Sequence, residues 1–158
     1  MPKTQRRRRQ ERKTDYKSRF NLLKSEKPRF VIRKTNRYIL AQIVESDIAQ
    51  DKVIAESSSK DLLSKGWPKE KSGSLKSLPA AYLTGFLLVK NLKTKVGEVI
   101  LDLGLQRNIH GSRLYAALKG AVDAGLKISH NTEALPKMER IQTNEKLKSI
   151  FEKVRGAL

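Results

Sequence analysis

The sequence predicts an α/β fold of α+β character: a mixed, largely antiparallel sheet with a three-stranded N-terminal meander, helices packed on it, and a basic N-terminal arm. Three observations predict it. Three short apolar runs follow one another between residues 29 and 56, separated by polar stretches of turn length. From residue 76 the apolar spacing becomes helical, interrupted by a strand-like run at 98–103. Ahead of both, residues 1–37 carry 15 Lys and Arg against three acids (Glu11, Asp15, Glu26), a net of +12 out of +18 for the chain.

Residues 3–25 lack a sustained apolar stripe. Tyr16, Phe20, Leu22 and Leu23 predict a short helix against the domain in the second half, while the first half is expected to be ordered only by phosphates. Pro28 marks the boundary. Residues 29–33 read as a strand with Phe30 and Ile32 on one face and Arg29, Val31 and Arg33 on the other. Lys34-Thr35-Asn36-Arg37 forms the turn, because Asn tolerates positive φ. Residues 38–45 and 52–56 supply the second and third strands. Ser59 is the expected N-cap of a short helix ending at Gly66, and Trp67-Pro68 begins a loop through Gly73. A helix is expected over 76–95, with Pro79 in its first turn and Gly97 closing it. After the strand at 98–103, Gly104 to Gly111 is a loop. A helix follows over 112–124, where Leu114, Ala117, Leu118, Ala121 and Val122 form one stripe ended by Gly125. A short strand at 126–128 and a helix within 143–155, burying Leu147, Ile150, Phe151 and Val154, complete the chain. The expected division is an arm over 1–27, a mixed-sheet domain over 28–136 and a C-terminal helical segment over 137–158.

A chain of 158 residues, 38% hydrophobic, fits one domain plus an arm. The absence of Cys excludes disulfides and Cys-based zinc sites. No run approaches the roughly 18 apolar residues of a membrane span, and no apolar signal peptide follows Met1, so an intracellular, cytoplasmic protein is expected. A pI near 10.3 puts nucleic acid ahead of an anionic membrane surface as the partner.

The arm is the first candidate site. Arg6, Arg7, Arg8, Arg9, Arg12, Lys13, Lys17 and Arg19 can each neutralise a phosphate, and the planar guanidinium fork can bond two oxygens at once. Tyr16 and Phe20 lie among them, placed either to stack on exposed bases or to pin the arm to the domain. The second site is the first hairpin, with Arg29, Arg33, Lys34, Asn36 and Arg37. Every charge from Lys27 to Arg37 is positive, whereas ordinary solvated faces mix signs. The third is the strand-to-helix loop containing Arg107, His110, Gly111, Ser112 and Arg113, where exposed helix-start amides favour anions. It lacks the Gly-Lys-Ser/Thr ending of a nucleotide-binding loop. The fourth is the turn Ser57-Ser58-Ser59-Lys60, with turn and N-cap as its plainer role. A catalytic role finds little support. His110 and His130 sit in no metal-ligand pattern, and Asp47, Asp61, Glu98 and Asp102 show no spacing of a carboxylate cluster. The competing reading is a metal-dependent nuclease on a similar sheet.

The hairpin at 29–45 resembles that of the ribosomal proteins that bind 5S ribosomal RNA, the universal large-subunit protein numbered eighteen in bacteria and five in eukaryotes. Ala80 to Gly85, Ile100 to Gly104, His110 to Arg113 and Ala116 to Leu126 are similar to later motifs of that family. Lys13-Thr14-Asp15-Tyr16 and Ser129 to Thr132 resemble its archaeal and eukaryotic branch, and the length resembles the archaeal form. The resemblance implies a structural role without catalysis or cofactor. It implies 5S rRNA and 23S rRNA as partners, with neighbouring large-subunit proteins, in the central protuberance of the large ribosomal subunit. It implies RNA contact through Arg6 to Arg9, Arg12, Lys13, Tyr16 and Arg19, through Arg33, Asn36 and Arg37, through the serine turn, and through the Arg107–Arg113 loop.

Overall fold

The computed structural model describes residues 4–48, 50–142 and 145–158. Strand β1 (Arg29–Lys34) pairs antiparallel with β2 (Ile39–Asp47), and β2 with β3 (Gln50–Ser58). The alternation in β1 and β2 sends Phe30, Ile32, Ile39, Ala41 and Ile43 to one face, where all are fully buried. A register shift between Ile43 and Val44 bulges β2 and places Val44 opposite Val53. Strand β4 (Ile100–Asp102) lies parallel to β1, giving the sheet order β3-β2-β1-β4. The sheet is open and mixed, as the sequence predicts.

The arm contains α1 (Arg7–Gln10) and α2 (Tyr16–Leu23). Asp15 starts α2 by accepting hydrogen bonds from the amides of Lys17 and Ser18. Helices α3 (Leu78–Lys90) and α4 (Arg113–Asp123) cover the apolar face of the sheet. A turn α5 (Met138–Ile141) and the helix α6 (Glu145–Ala157) complete the chain. The C-terminal helix was expected within 143–155, of which positions 143–144 lie outside the described residues.

Helix α3 is apolar on every side because it separates two cores. Ala81 and Leu88 join the sheet residues and α4 in one cluster. Tyr82, Leu83 and Leu87 meet Leu62, Trp67, Leu75, Phe151 and Val154 in the other. The Tyr82 hydroxyl donates to Asp123 at 2.7 Å. Burial first, and the Asp123 carboxylate second, raise its phenol well above the ordinary value.

Helices α3 and α4 cross so closely that glycine is required on both. A Cβ at Gly85 would sit 1.9 Å from the Ala117 carbonyl oxygen, and one at Gly120 would sit 2.0 Å from that of Tyr82. Both obstacles are backbone, so the helices would have to separate. Gly120→Ala should therefore destabilise the protein by about 2 kcal/mol or more, despite a gain of roughly 1 kcal/mol in helix propensity. Gly156→Ala in α6, where the added methyl meets nothing within 4 Å, should be neutral or stabilising. Urea denaturation of the two variants checks the contrast.

Several expected boundaries move. Helix α3 stops at Lys90 with Asn91 as its cap, not near Gly97, and in the stretch that follows Leu92 and Val96 still pack against the sheet-side core from outside the helix. The segment at 126–128 reduces to one parallel bridge, Ile128 to Val99. The residues after Ser58 form a 3₁₀ helix over Ser59–Lys65, not an α-helix. Its N-cap is Ser58, reciprocated by Asp61, because the Ser59 hydroxyl is drawn inward to accept the Ile39 amide. The loop expected after Trp67 holds another 3₁₀ turn over Lys69–Ser74, and Trp67 itself is core. Ile150 is only half-buried beside the buried Leu147, Phe151 and Val154.

Candidate nucleic-acid interface

The face of the sheet away from the helices is polar. Arg29, Val31 and Arg33 of β1 share it with Gln42 and Val44 of β2. The arm lies across this face. Arg8, Arg12, Lys13 and Arg19 from the arm, with Arg33 from the sheet, line a cavity of about 600 Å³ between them.

What holds the sheet arginines is Asp102 at the end of β4. Its Oδ2 accepts from Arg29 Nη1 at 3.0 Å, and its Oδ1 accepts from Arg33 Nη2 at 2.9 Å and from the Gly104 amide at 2.9 Å. Its carbonyl takes a further bond from Arg33 Nη1 at 2.7 Å. Gly104 has φ +60°, and a Cβ there would meet the Arg33 guanidinium at 2.9 Å, so only glycine suits the turn. The second guanidinium nitrogen of Arg29 donates to Ser46 and Asp51, both at 2.9 Å. Asp51 also accepts from Arg19 at 3.1 Å, which ties α2 to the sheet. Burial pushes the Asp51 carboxyl up, but the Ser46 hydroxyl, then Arg29 and Arg19, outweigh it and hold the group below its ordinary value.

Arg29 is 4% exposed and both of its terminal nitrogens are bonded to these carboxylates, so the structure removes it from the basic face. The reason is the parallel pairing with β4, which brings Asp102 beside it. Arg33 is braced by Asp102 but keeps 38% of its side chain exposed. Asn36 and Arg37 are exposed at the hairpin tip, whose loop closes through Thr35 and Tyr38.

In the arm, Arg6, Arg7, Arg8, Arg9, Arg12, Lys13 and Arg19 are all exposed. Arg8 Nε donates to Thr14 at 2.9 Å, Glu11 pairs with Arg7 and Lys13, and Arg6 lies over the Tyr16 ring at 4.8 Å. Phe20 does not pin the arm: it is 67% exposed, because Leu22 on another side of α2 faces the sheet instead.

In the serine turn the hydroxyls serve the fold. Ser57 is buried and donates to the Thr84 carbonyl at 2.8 Å, Ser58 caps the 3₁₀ helix, and Ser59 is buried against Ile39. Lys60 is exposed.

The loop from Gly104 to Arg113 stands between two depressions. Gln106 borders both, and its amide nitrogen donates to the Lys34 carbonyl at 3.3 Å. Beyond it, Lys34, Arg107, His110 and Arg113 border a cleft of about 1310 Å³ at the start of α4. Gly111 is held by its amide donating to the Ala134 carbonyl at 2.8 Å, and Tyr115 bonds Asn108 and edges the His110 ring. The structure thus joins the arm to the hairpin, and the hairpin to the loop. The serine turn borders neither depression.

The carboxylates that a nuclease would need are occupied separately. Glu98 pairs with Lys27, Asp61 caps the 3₁₀ helix, and Asp102 holds two arginines. The described residues contain no cluster of three or more His, Asp or Glu able to hold a metal. No helix among them is long and apolar enough to cross a membrane.

The family of ribosomal large subunit proteins 60S L5 and 50S L18 matches this chain over residues 2–98 and 93–131. The chain belongs to this family. Large ribosomal subunit protein uL18 of Korarchaeum cryptofilum is 50% identical over 149 residues, covering 94% of this chain and 74% of the relative. That of Methanoculleus marisnigri is 48% identical over 137 residues, covering 86% and 76%. That of Aeropyrum pernix is 46% identical over 138 residues, covering 86% and 63%. The L5/L18 family is structural and not enzymatic. Its match spans the arm, all four strands, α3 and α4, the elements that carry the basic surface.

Proposed function

We propose that this chain is a structural protein of the large ribosomal subunit that binds 5S rRNA and attaches it to the subunit as part of the central protuberance, where it also contacts 23S rRNA and neighbouring proteins. Membership of the L5/L18 family supports the ribosomal role. The observation that carries RNA binding is the cavity between arm and sheet, where Arg8, Arg12, Lys13, Arg19 and Arg33 meet. RNA contact is assigned to the arm (Arg6 to Arg9, Arg12, Lys13, Tyr16, Arg19), to Arg33, Asn36 and Arg37, to Lys60 on the turn shaped by Ser57, Ser58 and Ser59, and to the loop Arg107 with His110 to Arg113.

Side chains do not enter the deep, narrow major groove of A-form RNA, so these groups read phosphates, ribose hydroxyls and loops. With ~6 phosphates neutralised, affinity for 5S rRNA should fall on the order of a thousandfold between 50 and 200 mM salt. Filter binding across that range tests it, and an affinity that ignores salt contradicts it.

A further inference from the structure

Among the large apolar side chains that the described residues leave exposed, Phe20 is the one aromatic, and it sits in the most basic part of the chain. Helical spacing puts Tyr16, Phe20 and Leu23 on one face of α2. That face is not the one held against the sheet. Leu22 borders the cavity between arm and sheet, whereas Tyr16, Phe20 and Leu23 border a separate depression of about 640 Å³ formed within the arm. Tyr16 and Leu23 are half-buried there, and Phe20 is 67% exposed.

The depression has apolar walls and a cationic rim. Arg6, Arg9 and Arg19 also line it, and among the described residues no acid does. Arg19 is already paired with Asp51. Arg6 stands over the Tyr16 ring at 4.8 Å, a contact that leaves its charge unneutralised. The arm's two acids serve elsewhere: Glu11 pairs with Arg7 and Lys13, and Asp15 accepts the amides that start α2.

An exposed ring beside guanidinium groups suits a ligand that is flat and apolar in one part and anionic in the next. A nucleotide whose base lies outside a duplex has that make-up: the base stacks on a ring and the phosphate meets an arginine. A base stacked inside an A-form helix offers no free face, so the site selects a loop, a bulge or an end. A lipid surface fits less well, because the apolar face is three residues of an eight-residue helix, without the continuous stripe of an interfacial helix.

We infer that Phe20 is a stacking platform for one unpaired RNA base, with Tyr16 and Leu23 flanking the base and Arg6 and Arg9 at its phosphates. This rests on the RNA-binding reading above. It adds to that reading a residue that takes the base itself and separates unpaired from paired nucleotides.

Phe20 belongs to neither core, so Phe20→Ala should keep the thermal midpoint. In filter binding at 100 mM salt its affinity for 5S rRNA should drop about tenfold. The slope of log affinity against log salt should not change, because no cation is lost. Phe20→Trp should bind as the native chain does. Phe20→Leu, apolar without a ring, should lose nearly as much as Phe20→Ala. Phe20→Trp also gives a direct reading. The chain's one tryptophan, Trp67, is buried in the core, so quenching of the added indole by 5S rRNA, beyond that of the native chain, reports the stacked base. Native affinity in Phe20→Ala or in Phe20→Leu, or no added quenching, overturns this inference alone while the intact chain still binds. So does a Phe20→Trp signal that responds to phosphatidylserine vesicles and not to 5S rRNA. An intact chain that ignores 5S rRNA overturns the RNA-binding reading, and this inference with it.

Discussion

Removing residues 1–19 is expected to leave the domain folded and to cost most of its affinity for 5S rRNA. None of the described residues in that stretch is buried. The main tie to the sheet that is lost, Arg19 to Asp51, leaves Asp51 still bonded to Arg29 and Ser46. The segment holds nine Lys and Arg against Glu11 and Asp15. If ~4 of these cations neutralise phosphates, log affinity carries a slope of roughly −3.6 from them. Between a 1 M reference and 0.1 M salt, the arm's share is then on the order of a thousandfold. Circular dichroism should show an unchanged thermal midpoint, and filter binding the loss. Undiminished binding would remove the arm from the mechanism.

The largest stability loss is expected at Asp102. Asp102→Ala strips Arg29 Nη1 and Arg33 Nη2 of their carboxylate and the Gly104 amide of its acceptor. Arg29 and Asp102 side chains are 5% and 7% exposed, so the guanidinium cannot turn to water. Removing one partner of a buried pair costs about 3–5 kcal/mol, much of it the penalty of the charge left behind. For a chain of this size the thermal midpoint should fall by about 10 °C or more. Asp102→Asn, which keeps the shape and one acceptor, should lose less. A change in Asp102→Ala below about 1 kcal/mol would show that Ser46 and Asp51 alone satisfy Arg29.

The meander was legible in the sequence because two-residue alternation survives wherever one face is buried, as Phe30, Ile32, Ile39, Ala41 and Ile43 demonstrate. Helix α4 was legible because its single stripe faces one core. Helix α3 was legible as a helix but not in its role, since an element buried on both sides has no stripe to read. The 3₁₀ turns were not, because short i,i+3 structure carries no apolar period. At the interface the positive segments showed in composition alone. What did not show was which positive groups are used internally. Arg29 and Arg33 look alike in sequence, and only the pairing of β1 with β4 separates a buried brace from a half-exposed contact.

Strand β1 joins two partners that differ greatly in how far along the chain they lie. Its hairpin with β2 closes over a four-residue loop, whereas Arg29 and Ile100 are neighbours across 71 positions. Closing the short loop costs less chain entropy than the long one. Any opening that parts β4 from β1 takes Asp102 away from Arg29 Nη1 and Arg33 Nη2 together, while Arg29 keeps Ser46 and Asp51 within the meander. Loss of that one short strand would therefore free Arg33 far more than Arg29.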